Sequence, residues 1–588
     1  MKDRTSGETA RLTRLALRRG ARRGWSAVLS PLRRVTSSSR APSRLLIAPQ
    51  DIRTSDPTVA ADIYAGYFVF DGKAVNTKGR SPFGLLPPNQ AWAEELAGFS
   101  WLRHLRAADT ALARVNARAL VADWMALQGR SRSGGDWSAP IVARRLISWL
   151  SQSPLILDGA DGAFYRRFMR SIARQAAVLR RVAAEDASGE TRLLAAIALA
   201  EFGLSADGFA RVLRHASQFL IEEIGAQILP DGGHVSRHPG RLVDLLLDLL
   251  PLRQAFLAAG VAPPAALLNA IDRMMPMVRT FRHGDGTLAL FNGMGATKLD
   301  ALASVLAHDD SSGSPLSNAS HSGYGRLERN GSVLIVDCGP PPPVAYAHEA
   351  HAGTLAFEFS VGRQRVIINC GAPDAGPPLV REAARLTAAH STLVLGDRSS
   401  SRFSPEVWLG QRLGSTLYSG PRQVPAEQSQ SDLGVSLMAS HDGYEPNHGL
   451  VHRRRLVLAD AGDRLEGEDG LVRDETRPAP GLGRRPPPPA EGLEAVLRFH
   501  VHHALRLHAI RAGTAILVAL PNGDAWEFEA GGAPISIEES IYLASTEGPR
   551  RTEQLVVRLP AADGCRVAWS LARRSAPADP DGTLGSGS

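Results

Sequence analysis

The hydrophobic period of this chain changes once, near residue 310, and that change limits what it can fold into. Upstream, apolar residues recur three and four apart, as in Trp92, Leu96 and Phe99, then Leu112, Val115, Leu120 and Trp124. This is the stripe of amphipathic helices. Further helical runs cover Ala139–Ser151, Ala163–Ala183, Thr191–Phe202, Gly208–Ile224, Leu242–Ala259 and Pro264–Phe281. Short loops bearing Gly, Asp or Pro separate most of them, so the layout predicts antiparallel helix pairs. Downstream the runs shorten and become β-rich: Ser332–Asp337, Thr354–Ser360, Arg365–Asn369, Ser391–Leu395, Val496–Val501, Ala515–Leu520, Gln554–Leu559 and Arg566–Leu571. Many short strands without intervening helices predict an antiparallel β-sandwich.

The polar stretch His308-Asp309-Asp310-Ser311-Ser312-Gly313-Ser314-Pro315 reads as the linker between the two. The expected organisation is a basic, flexible arm over 1–50, a helical domain over 51–307, a linker over 308–322, a sandwich over 323–574 and a disordered tail over 575–588. Arg477–Pro489, with its run of prolines, reads as a surface insertion in the sandwich.

A chain of 588 residues with 44% hydrophobic and 21% charged residues is a multidomain globular protein, not a disordered one. No apolar run approaches the roughly 20 residues of a membrane span. Three cysteines, Cys338, Cys370 and Cys565, give neither a disulfide framework nor a zinc spacing. Much of the net charge of +8 sits at the start, in Arg18-Arg19, Arg22-Arg23 and Arg33-Arg34. Such an arm either is a solvated tail or touches anionic surfaces, lipid headgroups or nucleic acid. The start has no apolar core of a cleavable export signal, so no signal peptide is expected.

Four segments hold side chains suited to chemistry. In Asp231-Gly232-Gly233-His234-Val235-Ser236-Arg237-His238-Pro239, a turn precedes a helix and presents two imidazoles and a guanidinium. That set suits an anionic ligand; a capped, solvent-facing helix entry explains it equally. Phe281-Arg282-His283-Gly284-Asp285-Gly286 and Leu290–Gly293 read as a connecting loop. His348-Glu349-Ala350-His351 stands before one strand, Asn369 ends the next, and Val361-Gly362-Arg363 is the turn of a hairpin between them. With His390, this edge offers His351, Asn369 and His390 as a zinc-type set in which an amide replaces a carboxylate. The plain alternative is a loop on a solvated rim. Finally, His441–His448 and His452-Arg453-Arg454 read as a loop beside a basic strand, and Phe499–His503 as a structural strand.

Taken together, these segments resemble the heparinase II/III family of polysaccharide lyases from about Trp92 to Leu571. The match runs through Trp137, Arg145 and Trp149, through Asp231–Pro239, through Glu349-Ala350-His351-Ala352-Gly353, through Ile368-Asn369-Cys370-Gly371, and through His390-Ser391-Thr392-Leu393. The resemblance implies an α/α toroid followed by the sandwich, with an acidic polysaccharide cleaved by β-elimination in the cleft between them. It also implies an envelope or periplasmic location, although the missing signal leaves the cytoplasm open. A family metal would fall on His351, Asn369 and His390. The chain departs where the first histidine of the family's pair is Glu349, where the second strand's carboxylate is Asn369, and where no tyrosine lies between residues 240 and 300.

Elimination needs a group that neutralises the uronate carboxylate, a base for the C5 proton and an acid for O4. The resemblance assigns His234, Arg237 and His238 to neutralising and orienting, with Glu349 on the substrate. His351 is the expected base. Tyr444 is the expected acid, its proton made labile by Arg453. The competing expectation is a protein that kept the fold, lost turnover, and binds a glycan or scaffolds an envelope assembly.

Overall fold

The computed structural model describes residues 41–128, 135–184, 189–309, 313–374, 376–404, 417–432, 434–473 and 492–574. The basic arm up to residue 40, the proline-rich insertion at 477–489 and the tail after 574 lie outside the described residues.

The first half is a ring of paired helices. They run over Gln90–Gly98, Leu102–Ala108, Ala111–Leu127, Ala139–Ser151, Gly162–Ala184, Gly189–Ser205, Ala210–Gln227, Pro239–Ala258, Ala265–Thr280 and Leu299–Leu306. Their starts are chemically marked. The Asn89 side chain accepts the Trp92 N–H at 2.8 Å, and Thr110 accepts that of Ala113 at 3.0 Å. Each such cap contributes about 1 kcal/mol. One end of the ring closes on an aromatic cluster of Phe99, Trp124, Trp137, Trp149 and Phe168. The Arg145 guanidinium lies 3.9 Å from the Trp124 ring centre and donates to the carbonyls of Ala97 and Asp136. Burial pushes Arg145 down to about 9, so these ring and carbonyl contacts are what hold its charge in place. Among the described residues, no helix is long and apolar enough to cross a membrane.

Helix gives way to strand between Leu306 and Asn318. The second half is two antiparallel sheets packed face to face. One contains Tyr324–Arg329, Ser332–Asp337, Phe357–Val361, Gln364–Ile368, Glu494–Val501 and Arg550–Pro560. The other contains Gly434–His441, Val451–Ala459, Arg464–Val472, Ala515–Ala519, Ala525–Glu529 and Cys565–Arg573. Inward residues of both interdigitate, with Phe357 stacked on Trp569 at 5.6 Å and Phe499 against Phe528 at 4.8 Å. The hairpin predicted at Val361-Gly362-Arg363 is present. Val361 pairs with Gln364 across a two-residue turn in which Gly362 has φ 52°.

A buried polar core joins the two halves, and Arg237 is its centre. Arg237 itself sits at φ 62°, in the left-handed region, which aims its side chain out of the toroid. Its guanidinium donates to the carbonyls of Ser322, Gly323, Gly339 and Pro340 and to Asp337 Oδ1 at 2.6 Å. The Tyr324 hydroxyl returns a hydrogen bond to the Arg237 carbonyl at 2.6 Å, and the Asn292 amide donates to Tyr324 and Asp337. Nearby, His283 bridges to Ser360 and Glu358 on the sandwich. The segment predicted as a connecting loop, 281–293, is therefore part of the domain joint.

Candidate active-site cleft

The joint leaves an open cavity of about 300 Å³ lined by His238, Arg241, Asp244, Met294, Lys298 and Glu349, among others. The toroid supplies most of its wall from the start of Pro239–Ala258 and the loop after Phe291. The sandwich supplies Glu349 from the loop before its central hairpin. That loop is held by Arg385, which donates to the carbonyls of Ala347 and Ala350. It also packs onto Gly293 (φ 90°), where an added Cβ would lie 2.6 Å from the Glu349 carbonyl oxygen. Only glycine permits that approach.

Arg241, which the sequence did not single out, is the cleft's central charge. It donates to Glu349 Oε2 at 2.8 Å and faces Glu190 and Asp244, each at 3.6 Å. Burial works against the guanidinium's charge, but these three carboxylates hold it above its ordinary value. For Glu349, burial alone would raise the carboxyl, and Arg241, His238 and His348 keep it below the usual range. Glu190 moves the other way: burial raises it, and Arg241 and His348 only partly oppose that.

The predicted residues separate into two groups. His238 and Glu349 line the cleft, His348 stands 3.9 Å from Glu349, and His351 is buried beside them and is not among the residues that line the cavity. His238 Nδ1 accepts the Gly240 N–H, which leaves its proton on Nε2, 3.9 Å from Glu349. His390 donates from Nδ1 to the Leu386 carbonyl at 2.9 Å, so its Nε2 accepts from His351 Nδ1 at 3.2 Å. That chain fixes His351 as the Nδ1–H tautomer, with Nε2 the basic nitrogen. His351 is buried, its N–H held by Asn292 Oδ1. Burial and neighbouring His390 push its imidazole well below the ordinary value, and burial lowers His390 to about 4.

The remaining predicted residues are structural. Arg237 is consumed by the domain joint, since every guanidinium nitrogen has a protein acceptor. His234 donates to Gln227 and accepts from Ser236, and burial lowers it to about 3. Tyr444 lies inside the sandwich, its hydroxyl donating to the Leu393 carbonyl at 2.7 Å. Burial raises its phenol, which is the wrong direction for an acid. Arg453 points outward from its strand, opposite Ser440 and Gly470. Alternation instead buries Arg454, which pairs with Asp469 at 2.7 Å.

The zinc-type set does not fit a metal. The facing nitrogens of His351 and His390 are bonded to each other. Asn369 Oδ1 accepts the Ser391 N–H, and its Nδ2 donates to Glu358. Glu358, the carboxylate nearest that amide, is already held by Arg365 and His283. Among the described residues, no group of three metal-ligating side chains converges.

Tyr346 was also missed. Its ring edge faces His234 at 6.1 Å and lies so close to Gly189 that a Cβ there would strike it at 2.2 Å. In sequence Tyr346 stands two residues before His348, in a stretch of prolines and alanines that carries no motif.

A toroid closed on an antiparallel sandwich, with a charged cleft at the joint, defines the polysaccharide-lyase-like class of folds. Residues 311–570 match the family model described as heparinase II/III-like, C-terminal. FtsZ-localized protein C of Caulobacter vibrioides is 31% identical over 536 residues, 90% of this chain and 91% of that protein. Among solved structures, heparinase III superposes with TM-score 0.69 at 14% identity, covering 92% of this chain and 87% of the other. The heparan sulfate lyase HepC of Pedobacter heparinus gives 0.61 at 15%, covering 95% and 89%. The chain belongs to the heparinase II/III-like family.

Proposed function

We propose that this protein binds a polysaccharide in the cleft between toroid and sandwich without eliminating it, as a binding or scaffolding member of the family. The observation that carries this reading is the Arg241–Glu349 ion pair. A uronate carboxylate needs a free cation to be neutralised before its C5 proton can leave, and here the cleft's own carboxylate occupies that cation. The identity to FtsZ-localized protein C extends over both domains and supports a place at sites of FtsZ assembly, testable by co-localisation of a fluorescent fusion.

A second reading, β-elimination on an acidic glycan, draws on the unprotonated Nε2 of His351, which is the right form for a base. The test is one panel of uronate-containing, amino-sugar and neutral polysaccharides, followed by titration calorimetry and by ultraviolet absorbance of the unsaturated product. The proposal expects affinity without product. Product that disappears in His351→Ala would replace it with the lyase reading, and a folded protein that neither binds nor cleaves any glycan would defeat both.

A further inference from the structure

We propose that the cleft selects a glycan carrying a free, protonated amine, so that its ligand is an amino sugar and not a sulfated or uronate chain. This rests on the glycan-binding reading above and concerns which sugar is taken. Around the single guanidinium of Arg241 stand three carboxylates, those of Glu349, Glu190 and Asp244. The remaining charges on the cavity wall, Lys298 and Asp374, oppose one another. His238 is neutral, because burial lowers its imidazole. The cavity wall therefore keeps one net negative charge, with Glu190 facing Arg241 at 3.6 Å, within a protein whose overall charge is +8. An anionic sugar entering it meets like charge at short range in a partly desolvated site, where screening is weak.

The hydrogen-bond inventory points the same way. Glu349 is 39% exposed and Asp244 55% exposed, so both present acceptor oxygens to the opening. An ammonium supplies three donors and no acceptor, which matches a wall rich in carboxylate oxygens. A sugar's apolar ring face would lie against Leu288, Met294 and Leu302, which line the same cavity.

The experiment is titration calorimetry of the full chain with three oligosaccharides of equal length: chitosan oligomers with free amines, their fully N-acetylated counterparts, and heparan sulfate fragments. The expected order of affinity is amine, then acetylated, then sulfated, with amine binding weakened by salt. Replacing one charge-assisted contact, in Glu349→Gln, should weaken amine binding about tenfold while leaving the acetylated oligomer nearly unaffected. Asp244→Asn, on an exposed position, repeats the test without touching the Arg241–Glu349 pair. Tightest binding of the sulfated fragment, or amine binding untouched by both variants, overturns the selection while leaving glycan binding intact. Binding of none of the three removes the glycan reading itself.

Discussion

Replacing Arg237 by alanine distinguishes a joint residue from a ligand-binding one. The substitution removes five hydrogen bonds that cross from toroid to sandwich and leaves Asp337 buried without its cation. Breaking a buried pair from one side costs about 3–5 kcal/mol, because the remaining charge loses its compensation. The Asn292 amide still reaches Asp337 at 3.2 Å and softens that loss, so about 3–4 kcal/mol is the expected cost. Arg237→Lys should recover little, since a single ammonium cannot serve acceptors spread around a planar fork. Arg237→Ala combined with Asp337→Asn should be less destabilised than the sum of the two single changes, since the stranded charge is gone. Urea unfolding of the intact chain, followed by tryptophan fluorescence and circular dichroism together, reports both the loss and any separation of the two domains' transitions. If Arg237→Ala instead keeps full stability and weakens only glycan binding, Arg237 belongs to the cleft and the joint has been misassigned.

Two other outcomes follow from the buried histidines. The Gly443 N–H donates to His441 Nδ1, His441 donates on to His452, and His452 donates to Asp469 at 2.7 Å. Burial first, then Arg454 and the paired imidazole, hold His441 well below its ordinary value, and burial also lowers His452. The unfolded chain takes up protons below about pH 6.5 that the folded chain refuses. Stability is therefore fully present above that pH and falls as pH drops through the mildly acidic range. A melting temperature that stays level or rises on acidification would contradict this. For the His351–His390 pair, overnight chelation should leave melting unchanged and added zinc should not raise it. A zinc-dependent rise, of the size expected when a ligand binds only the folded state, would show that the pair opens to take a metal.

Much of the fold was legible because its signals are local. Period, caps and Gly/Pro punctuation located the helices, and Ser332–Asp337 reads as a strand from its apolar run alone. Val451–Ala459 and Arg464–Val472 were harder. Their inward positions include His452, Arg454 and Asp469, which compensate one another inside the sandwich but look like a charged loop in sequence. The site was half legible for a similar reason. His351 and Glu349 stand in a recognisable motif, whereas Arg241 is one more arginine at the start of a helix. Its meaning comes from Glu349, 108 residues further on, and no local pattern carries a contact of that range. Arg237 misled in the opposite direction. A guanidinium between two histidines suits an anion, but a left-handed backbone turned it into the joint.

Two of the three departures from the family pattern, Glu349 and Asn369, stand on either side of His351 in the structure. Where the pattern has a histidine facing the cleft and a carboxylate behind the second histidine, this chain has Glu349 in front and Asn369 behind. Moving the charge away from the back lets Asn369 bridge Ser391 and Glu358 as a neutral amide, and His351 and His390 close on each other. Glu349 in front gives Arg241 a partner. Glu349 and His351, two residues apart, thus tie the occupied arginine to the paired histidines.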